Sequence, residues 1–442
     1  MHEEAPVWWL RVKQAAERGA EVIVLNVRPT RLDKYATRLV HYAPGKTLET
    51  ALYLLNAAKV ETSGIGELEY AAETVLNAKN VVAFYGSEGV TYDETDTLAR
   101  ILGNLLQLKN ENGETHVGRV NNGLIAVWPH NNTQGAWDMG IHPALGPGYK
   151  PLKTTGLSAG EIYAGAASGA VKALYVMAAD PVGDGLMHGR GKLDFLVVQE
   201  LFLTETAQAA DVVLPAQSWA ERDGTFTNGE RRVQMYYPAI TAVGNSQPDW
   251  RILAQIAEKL GLGNVPFAAS LVFKKQIAKA VRPYKKMDYA TLSKVEKQFP
   301  DVGGEDLYYG GTSYENKNGL GEQWASTAES KNVGMFELPE IGISKPTSKL
   351  PIIRASALYT SGIMLNQTEL LKPRMAQPVL HLNMADAQRL QIASGTKLRV
   401  KYNDKAVELT AHVNGHAPAG VAVMRGVPYE AGVLDAVIES LS

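Results

Sequence analysis

Two polar stretches hold the residues best equipped for chemistry in this 442-residue sequence. Residues 224–234 read GTFTNGERRVQ and offer the hydroxyl of Thr225, the carboxamides of Asn228 and Gln234, and the adjacent guanidinium groups of Arg231 and Arg232. Residues 131–140 read NNTQGAWDMG and offer Asn132, Gln134, Gly135 and Asp138. Carboxamides present donors and acceptors together, arginine presents a planar fork that fits phosphate, and glycine lets a backbone approach closely. Such a set could hold a polar ligand with an anionic group. The same letters also suit a strand leading into a glycine-rich turn, and a connection whose Asn, Asp and Gly residues hydrogen-bond their own backbone with no ligand. The residues alone leave both readings open.

Other chemistries find less support. With no cysteine there is no disulfide, no thiolate ligand and no Cys-held iron-sulfur cluster in these residues. His412 and His416 have an H-x-x-x-H spacing, but at a strand end that interval does not place them on one helix face, so no metal site is expected. His381 reads as a structural histidine in a strand. Gly86-Ser87-Glu88-Gly89 reads as a turn, since Glu88 disfavours phosphate there. Asp93 to Asp96 read as acids at a helix N-terminus. Adjacent Trp8 and Trp9 must face different sides of a helix. The formal charge of -2 gives no electrostatic case for nucleic acid. The apolar runs fall far short of the roughly 18 residues of a membrane helix, and no secretory signal opens the sequence.

The elements that must position these groups alternate in the α/β manner. A helix over 6–19 ends at Gly19, and the β-branched run 22–25 follows as a buried strand. A second strand spans 80–85. Thr91 and Glu94 have capping-box spacing before a helix whose inward stripe is Leu98, Ile101, Leu102, Leu105 and Leu106. Strands are expected at 173–177, 195–198 and 212–214. A helix over 248–260 has Pro248 and Asp249 in its first turn, with Ile252, Ile256 and Leu260 inward and Gly261 as its stop. A long structured loop is expected over 305–321. Beyond Pro378 the period changes to two around an Asn403-Asp404 turn, as in a small β-barrel.

The run from 204 to 234, TETAQAADVVLPAQSWAERDGTFTNGERRVQ, resembles the molybdopterin oxidoreductase superfamily. So do NNTQGAWDMG with Pro143 and Gly148-Tyr149, the Arg28-Pro29-Thr30 turn, Pro44-Gly45, and MADAQRLQIASGTKLRVKY over 384–402. The resemblance implies a formate dehydrogenase/DMSO reductase-like fold: two Rossmann-like α/β domains, then a C-terminal β-barrel of double-psi type. It implies a pterin cradle formed by Asn132, Gln134, Gly135, Asp138, Thr225, Asn228, Arg231, Arg232 and Gln234. Two departures stand out. Lys46 and Thr47 replace the family's acid after Pro-Gly, and Ile363 follows Gly362 where relatives carry arginine; both weaken the case for a guanine dinucleotide.

Within the superfamily, residues 300–321 and Gln247-Pro248-Asp249-Trp250 look most like the large iron-sulfur subunit of bacterial NADH:quinone oxidoreductase, respiratory complex I. That implies a scaffold without its own redox centre or catalytic residue, a molybdopterin cradle that either keeps or has lost its cofactor, and iron-sulfur clusters only in a region upstream of residue 1. It further implies complex I peripheral-arm subunits as partners, and a peripheral place on the cytoplasmic side of the inner membrane. The competing expectation is the pterin-binding part of an active molybdenum or tungsten oxidoreductase such as formate dehydrogenase. The metal's own ligand would then lie upstream of residue 1. The expected domain plan joins 1–77 to 239–331, inserts 78–238, and ends with 332–442.

Overall fold

The computed structural model describes residues 1–60, 66–119, 122–263, 266–293, 322–323, 334–341, 350–360, 362–402, 405–427 and 432–441. The chain divides into two compact units, 1–129 with 326–442 and, separately, 130–325. The domain plan drawn from the sequence cuts elsewhere: it places the strand Ile23–Asn26 and the helix Asp249–Lys259 together, whereas they fall in different units. The expected loop over 305–321, the Asn403-Asp404 turn and Ser361 lie outside the described residues.

In the first unit the helix Pro6–Glu17 stops where the sequence predicts, with Gly19 in the left-handed region at φ +92°. Ile23–Asn26 then pairs in parallel with Arg38–His41, and Val82–Tyr85 with Gly123–Ala126. Thr91 and Glu94 form the capping box: Glu94 N donates to Thr91 Oγ1 at 3.2 Å and Thr91 N to Glu94 Oε2 at 2.7 Å. The helix it starts, Tyr92–Gln107, buries Leu98, Ile101 and Leu105 against Leu54, Leu55, Ala71 and Ala72 of the helices Thr47–Ala57 and Glu67–Asn77.

The same unit ends in a curled seven-stranded sheet, in the order Val433–Leu434, Ile352–Arg354, Ala422–Arg425, Val379–Leu382, Lys405–Val413, Lys397–Tyr402, Val437–Ser440. The two-residue period is real: Leu398, Val400 and Tyr402 face inward with Leu409 and Ala411. The sheet also brings His381 to the His412 and His416 pair. The buried His381 ring stands edge-on to His412 at 5.7 Å and to His416 at 5.6 Å, with Asn414 Nδ2 3.0 Å from its Nδ1. Among the described residues no group of three such side chains is arranged to hold a metal.

Burial, reinforced by His416, His412 and Arg425, pushes the His381 imidazole down to about 4. Its unfolded counterpart titrates near 6.5. Between those values the unfolded chain binds the extra proton, so this contribution to stability is whole above pH 6.5 and is lost as the pH falls through 4. At about 1.4 kcal/mol per unit the difference approaches roughly 3 kcal/mol. Urea melts at pH 7 and pH 4 should show His381→Phe losing less stability on acidification than the wild type. Equal losses would sink the assignment.

The second unit is built on a parallel sheet in which Phe195–Glu200 lies between Ala173–Met177 and Val212–Pro215. Leu196, Val198, Val176 and Ala166 form its core. The helix Asp249–Lys259 is as expected at its start, with Pro248 as its cap and Ile252 buried. At its end it is not: Leu260 is 68% exposed, because the chain leaves the helix there and Gly261 turns it away at φ +70°. Beyond the sheet the hairpin Gly224–Thr227 with Arg232–Tyr236 carries a short third strand, Glu322–Gln323. The whole is a mixed α/β fold.

Candidate functional site

The two polar stretches meet within the 130–325 unit. Asn132 caps the six-residue helix Thr133–Asp138, and its side-chain Oδ1 accepts from the backbone N–H of Thr227 at 2.8 Å. This contact joins the helix start to the end of the strand Gly224–Thr227. Gly135 makes it possible. A Cβ there would run into Asn132 Oδ1 and stand 3.3 Å from Thr227 Oγ1, so any larger residue evicts the asparagine.

Behind this joint lies a buried carboxylate. Asp138 has no exposed surface, and it accepts from Tyr149 OH at 2.6 Å, Gln134 Nε2 at 2.8 Å and Tyr284 OH at 2.7 Å. Thr227 Oγ1 and Tyr284 OH are 2.6 Å apart. Since the phenol donates to Asp138, the threonine donates to the phenol. Burial first, then Asp138 itself, raises both tyrosines above the ordinary phenol range, so each remains a neutral donor. Three segments distant in sequence are thereby tied to one carboxylate.

The remaining expected residues divide by face. Asn228 Oδ1 accepts from the N–H of Glu230 at 2.9 Å and of Arg232 at 3.1 Å, closing the hairpin tip on itself. Arg231 takes φ +63° at this tip, a left-handed conformation costing a non-glycine residue about 1 kcal/mol. Arg232 is buried, with its Nε 3.7 Å from Glu230 Oε2. Thr225 lies opposite Met235 and shares a face with Thr227, whereas Gln234 lies opposite Phe226 on the other face. The structure therefore brings together Asn132, Gln134, Gly135 and Asp138, adds Thr227, and leaves Gln234 on the far side of the hairpin.

The donor set left over is informative. Asn132 and Asn228 commit their oxygens to the main chain, so what each can offer a ligand is its N–H pair. Gln134 commits its nitrogen to Asp138 and Tyr149 and can offer its oxygen. These suit a heterocycle edge carrying mostly acceptors.

Sequence reasoning missed Tyr284, Thr227 and Glu200. Glu200 ends the central parallel strand, at the carboxyl edge where open α/β sheets bind ligands. It is 4% exposed; Oε1 accepts from Leu201 N at 2.7 Å, and Oε2 has no partner. Burial, aided by the charge of Asp180, raises its carboxyl above the usual range. Its neighbour Gln199 receives Tyr175 OH at 2.6 Å and donates to Asp249 Oδ1 at 2.6 Å, and Asp249 pairs with Arg222, two residues before the hairpin. The signal was present in Val197-Val198-Gln199-Glu200, where a buried strand turns polar at its end.

The molybdopterin oxidoreductase family model matches residues 1–259. The α subunit of F420-dependent formate dehydrogenase 2 from Methanococcus maripaludis is 29% identical, matched over 96% of this chain and 69% of its own length. Formate dehydrogenase H from Escherichia coli is 34% identical over 44% of this chain and 30% of its own. Acetylene hydratase from Pelobacter acetylenicus superposes with a TM-score of 0.59 at 14% identity, covering 96% of this chain and 69% of that one, a likeness of fold alone.

These relatives correct the expectation of a complex I scaffold with peripheral-arm partners, and with it the quinone and NADH dehydrogenase readings: the chain is similar to α subunits of F420-dependent formate dehydrogenases and to formate dehydrogenase H. The features behind that expectation were weak. Residues 300–321 lie outside the described residues, and Gln247-Pro248-Asp249-Trp250 is accounted for as a helix start, Pro248 capping and Asp249 receiving Gln199. No described helix is long and apolar enough to cross a membrane. With a family model spanning more than half of its residues, the chain belongs to the molybdopterin oxidoreductase family.

Proposed function

We propose that this chain is the pterin-binding part of a molybdenum- or tungsten-dependent oxidoreductase of the formate dehydrogenase kind, working with further subunits. The observation that carries the reading is the direct bond from the Thr227 N–H to Asn132 Oδ1, which joins the two polar stretches. Bound there, molybdopterin supplies a metal centre able to accept an electron pair from substrate.

In this reading the chain's own residues bind and orient. Asn132 and Asn228 donate to the heterocycle edge, Arg231 and Arg232 hold the phosphate, and Gln134 accepts from a ring N–H. Asp138, Tyr149 and Tyr284 keep their distance from the ligand and fix the joint. The unshared oxygen of Glu200 offers an acceptor to an amino edge at the sheet. The curled C-terminal sheet, with its mixture of parallel and antiparallel pairs, is read as a double-psi barrel. Thiolate-held iron-sulfur clusters, where the enzyme uses them, belong to residues other than these, which contain no cysteine.

The protein should be produced in a host that makes molybdopterin, supplied with molybdate or tungstate. Metal content by mass spectrometry, and pterin by its fluorescent oxidation product, should then reach stoichiometric amounts. Protein that stays free of both after such loading would overturn the proposal in favour of a vacant scaffold.

A further inference from the structure

The segment that carries Tyr284 has two faces of opposite character. Phe273, Val281, Tyr284 and Met287 pack inward with Val233, and the Tyr284 hydroxyl is tied to Asp138 at 2.7 Å. Phe273 and Ala278, five residues apart, are both buried because the turn Phe273–Ile277 is a π-helix, whose i→i+5 bonding puts them on one side. The basic side chains are thereby turned outward: Lys274, Lys275, Lys279, Arg282, Lys285 and Lys286 are all exposed.

No acid nearby in the chain offsets them. Between Glu258 and Asp288 the sequence holds seven Lys and Arg and no Asp or Glu. Among the described residues one of the six outward cations is paired, Lys274 with Asp288 at 3.2 Å. Lys275 and Lys279 are four apart and Lys279 and Arg282 three, spacings at which like charges on a helical segment repel. The buried inner face fixes the backbone, so this repulsion is held in place rather than relieved. Just before the segment turns helical at Ala269, the Phe267 side chain is 85% exposed. The run 274–286 is about 20 Å long at helical rise, and its field reaches about 10 Å into dilute salt. All 46 Asp and Glu lie outside it, so the rest of the chain is acidic on balance although the whole carries only -2. An extended polyanion reaching past the basic face meets repulsion, whereas a compact acidic face of about that length meets attraction.

We propose that the outward face of residues 274–286 is a docking surface for an acidic protein, which sets clustered Asp and Glu side chains on Lys275, Lys279, Arg282 and Lys286 and covers the Phe267 ring with an apolar contact. The cations need little ordering on binding, since the backbone that presents them is anchored through Phe273, Val281 and Tyr284. Such docking requires no pterin in the cradle.

The test measures binding of a capped, fluorescent peptide, DEELDEFEDD, to the whole chain by anisotropy in about 0.1 M salt, against its amide counterpart NQQLNQFQNN. The acidic peptide should bind saturably at one equivalent and the amide peptide should not. Lys275→Glu, Lys279→Glu and Arg282→Glu together should weaken binding at least tenfold, while the same reversal at the exposed Lys109, Lys153 and Lys192 should weaken it less than threefold. Phe267→Ser should weaken it several-fold with the salt dependence unchanged. Lys279→Glu alone should weaken binding yet raise the thermal midpoint by about 2–4 °C, because two repulsions become attractions; this variant decides the matter if the triple one fails to fold. Equal weakening by the control reversals would overturn the proposal, as would no binding up to about 1 mM peptide. So would a lowered midpoint in Lys279→Glu, which would place the counter-charge within the chain. Tighter binding of duplex DNA, or of vesicles containing phosphatidylglycerol, would overturn it in favour of a polyanion or membrane surface.

Discussion

Replacing Asp138 with alanine is expected to cost the 130–325 unit about 3–5 kcal/mol, because two phenols and a carboxamide would lose their shared, fully buried acceptor. Each stranded buried donor carries a penalty of about 1–3 kcal/mol, and Tyr149, being 39% exposed, recovers part of its share from solvent. At about 2–4 °C per kcal/mol for a body of this size, the thermal midpoint should fall by roughly 10 °C. Asp138→Asn keeps one oxygen and the shape, and should lose about half as much. Scanning calorimetry on the three proteins checks the order. An alanine variant melting within about 2 °C of the wild type would show that the carboxylate is not the hub.

That hub also marks the limit of what the sequence discloses. Asn132, Gln134 and Asp138 stand out because polar residues crowd a short, glycine-containing stretch, and the Thr91 to Glu94 box is readable because its partners are three residues apart. Tyr284 is 146 positions from Asp138 and sits in an unremarkable Val-Arg-Pro-Tyr segment, so only the packing of the chain could assign it. Function attributed to side chains also shifts with the backbone around them. Asn228 looks like a ligand contact by type, yet its oxygen closes its own turn. Gln234 looks equivalent to Thr225, yet the pleat of the hairpin puts them on opposite faces. The histidines illustrate the converse: the spacing of His412 and His416 in sequence says nothing of His381, and parallel pairing of Val379–Leu382 with Lys405–Val413 is what brings it to them. The strands themselves were legible because β-branched runs declare them, while their pairing is a property of the assembled core.

Gly135→Val should separate the cradle from the fold. The added branch occupies the place of Asn132 Oδ1, forcing that side chain off the Thr227 N–H and releasing the helix start from the hairpin. Its cost to stability is moderate, about 1–3 kcal/mol for an overpacked site, since the Asp138 network is anchored elsewhere. Retention of pterin through gel filtration should nevertheless fall by tenfold or more, because the carboxamide no longer points to the ligand. Asn132→Ala should lose the cofactor to a similar degree without crowding. The double variant is the discriminating one: with the asparagine gone the valine has less to collide with, so stability should recover relative to Gly135→Val while retention does not. If the double variant regains the cofactor as well, the loss in Gly135→Val came from general loosening, and Asn132 has no part in holding the ligand. If Gly135→Val keeps a full complement of pterin, the joint between Asn132 and Thr227 is structural only, even where the metal analysis of the wild type succeeds.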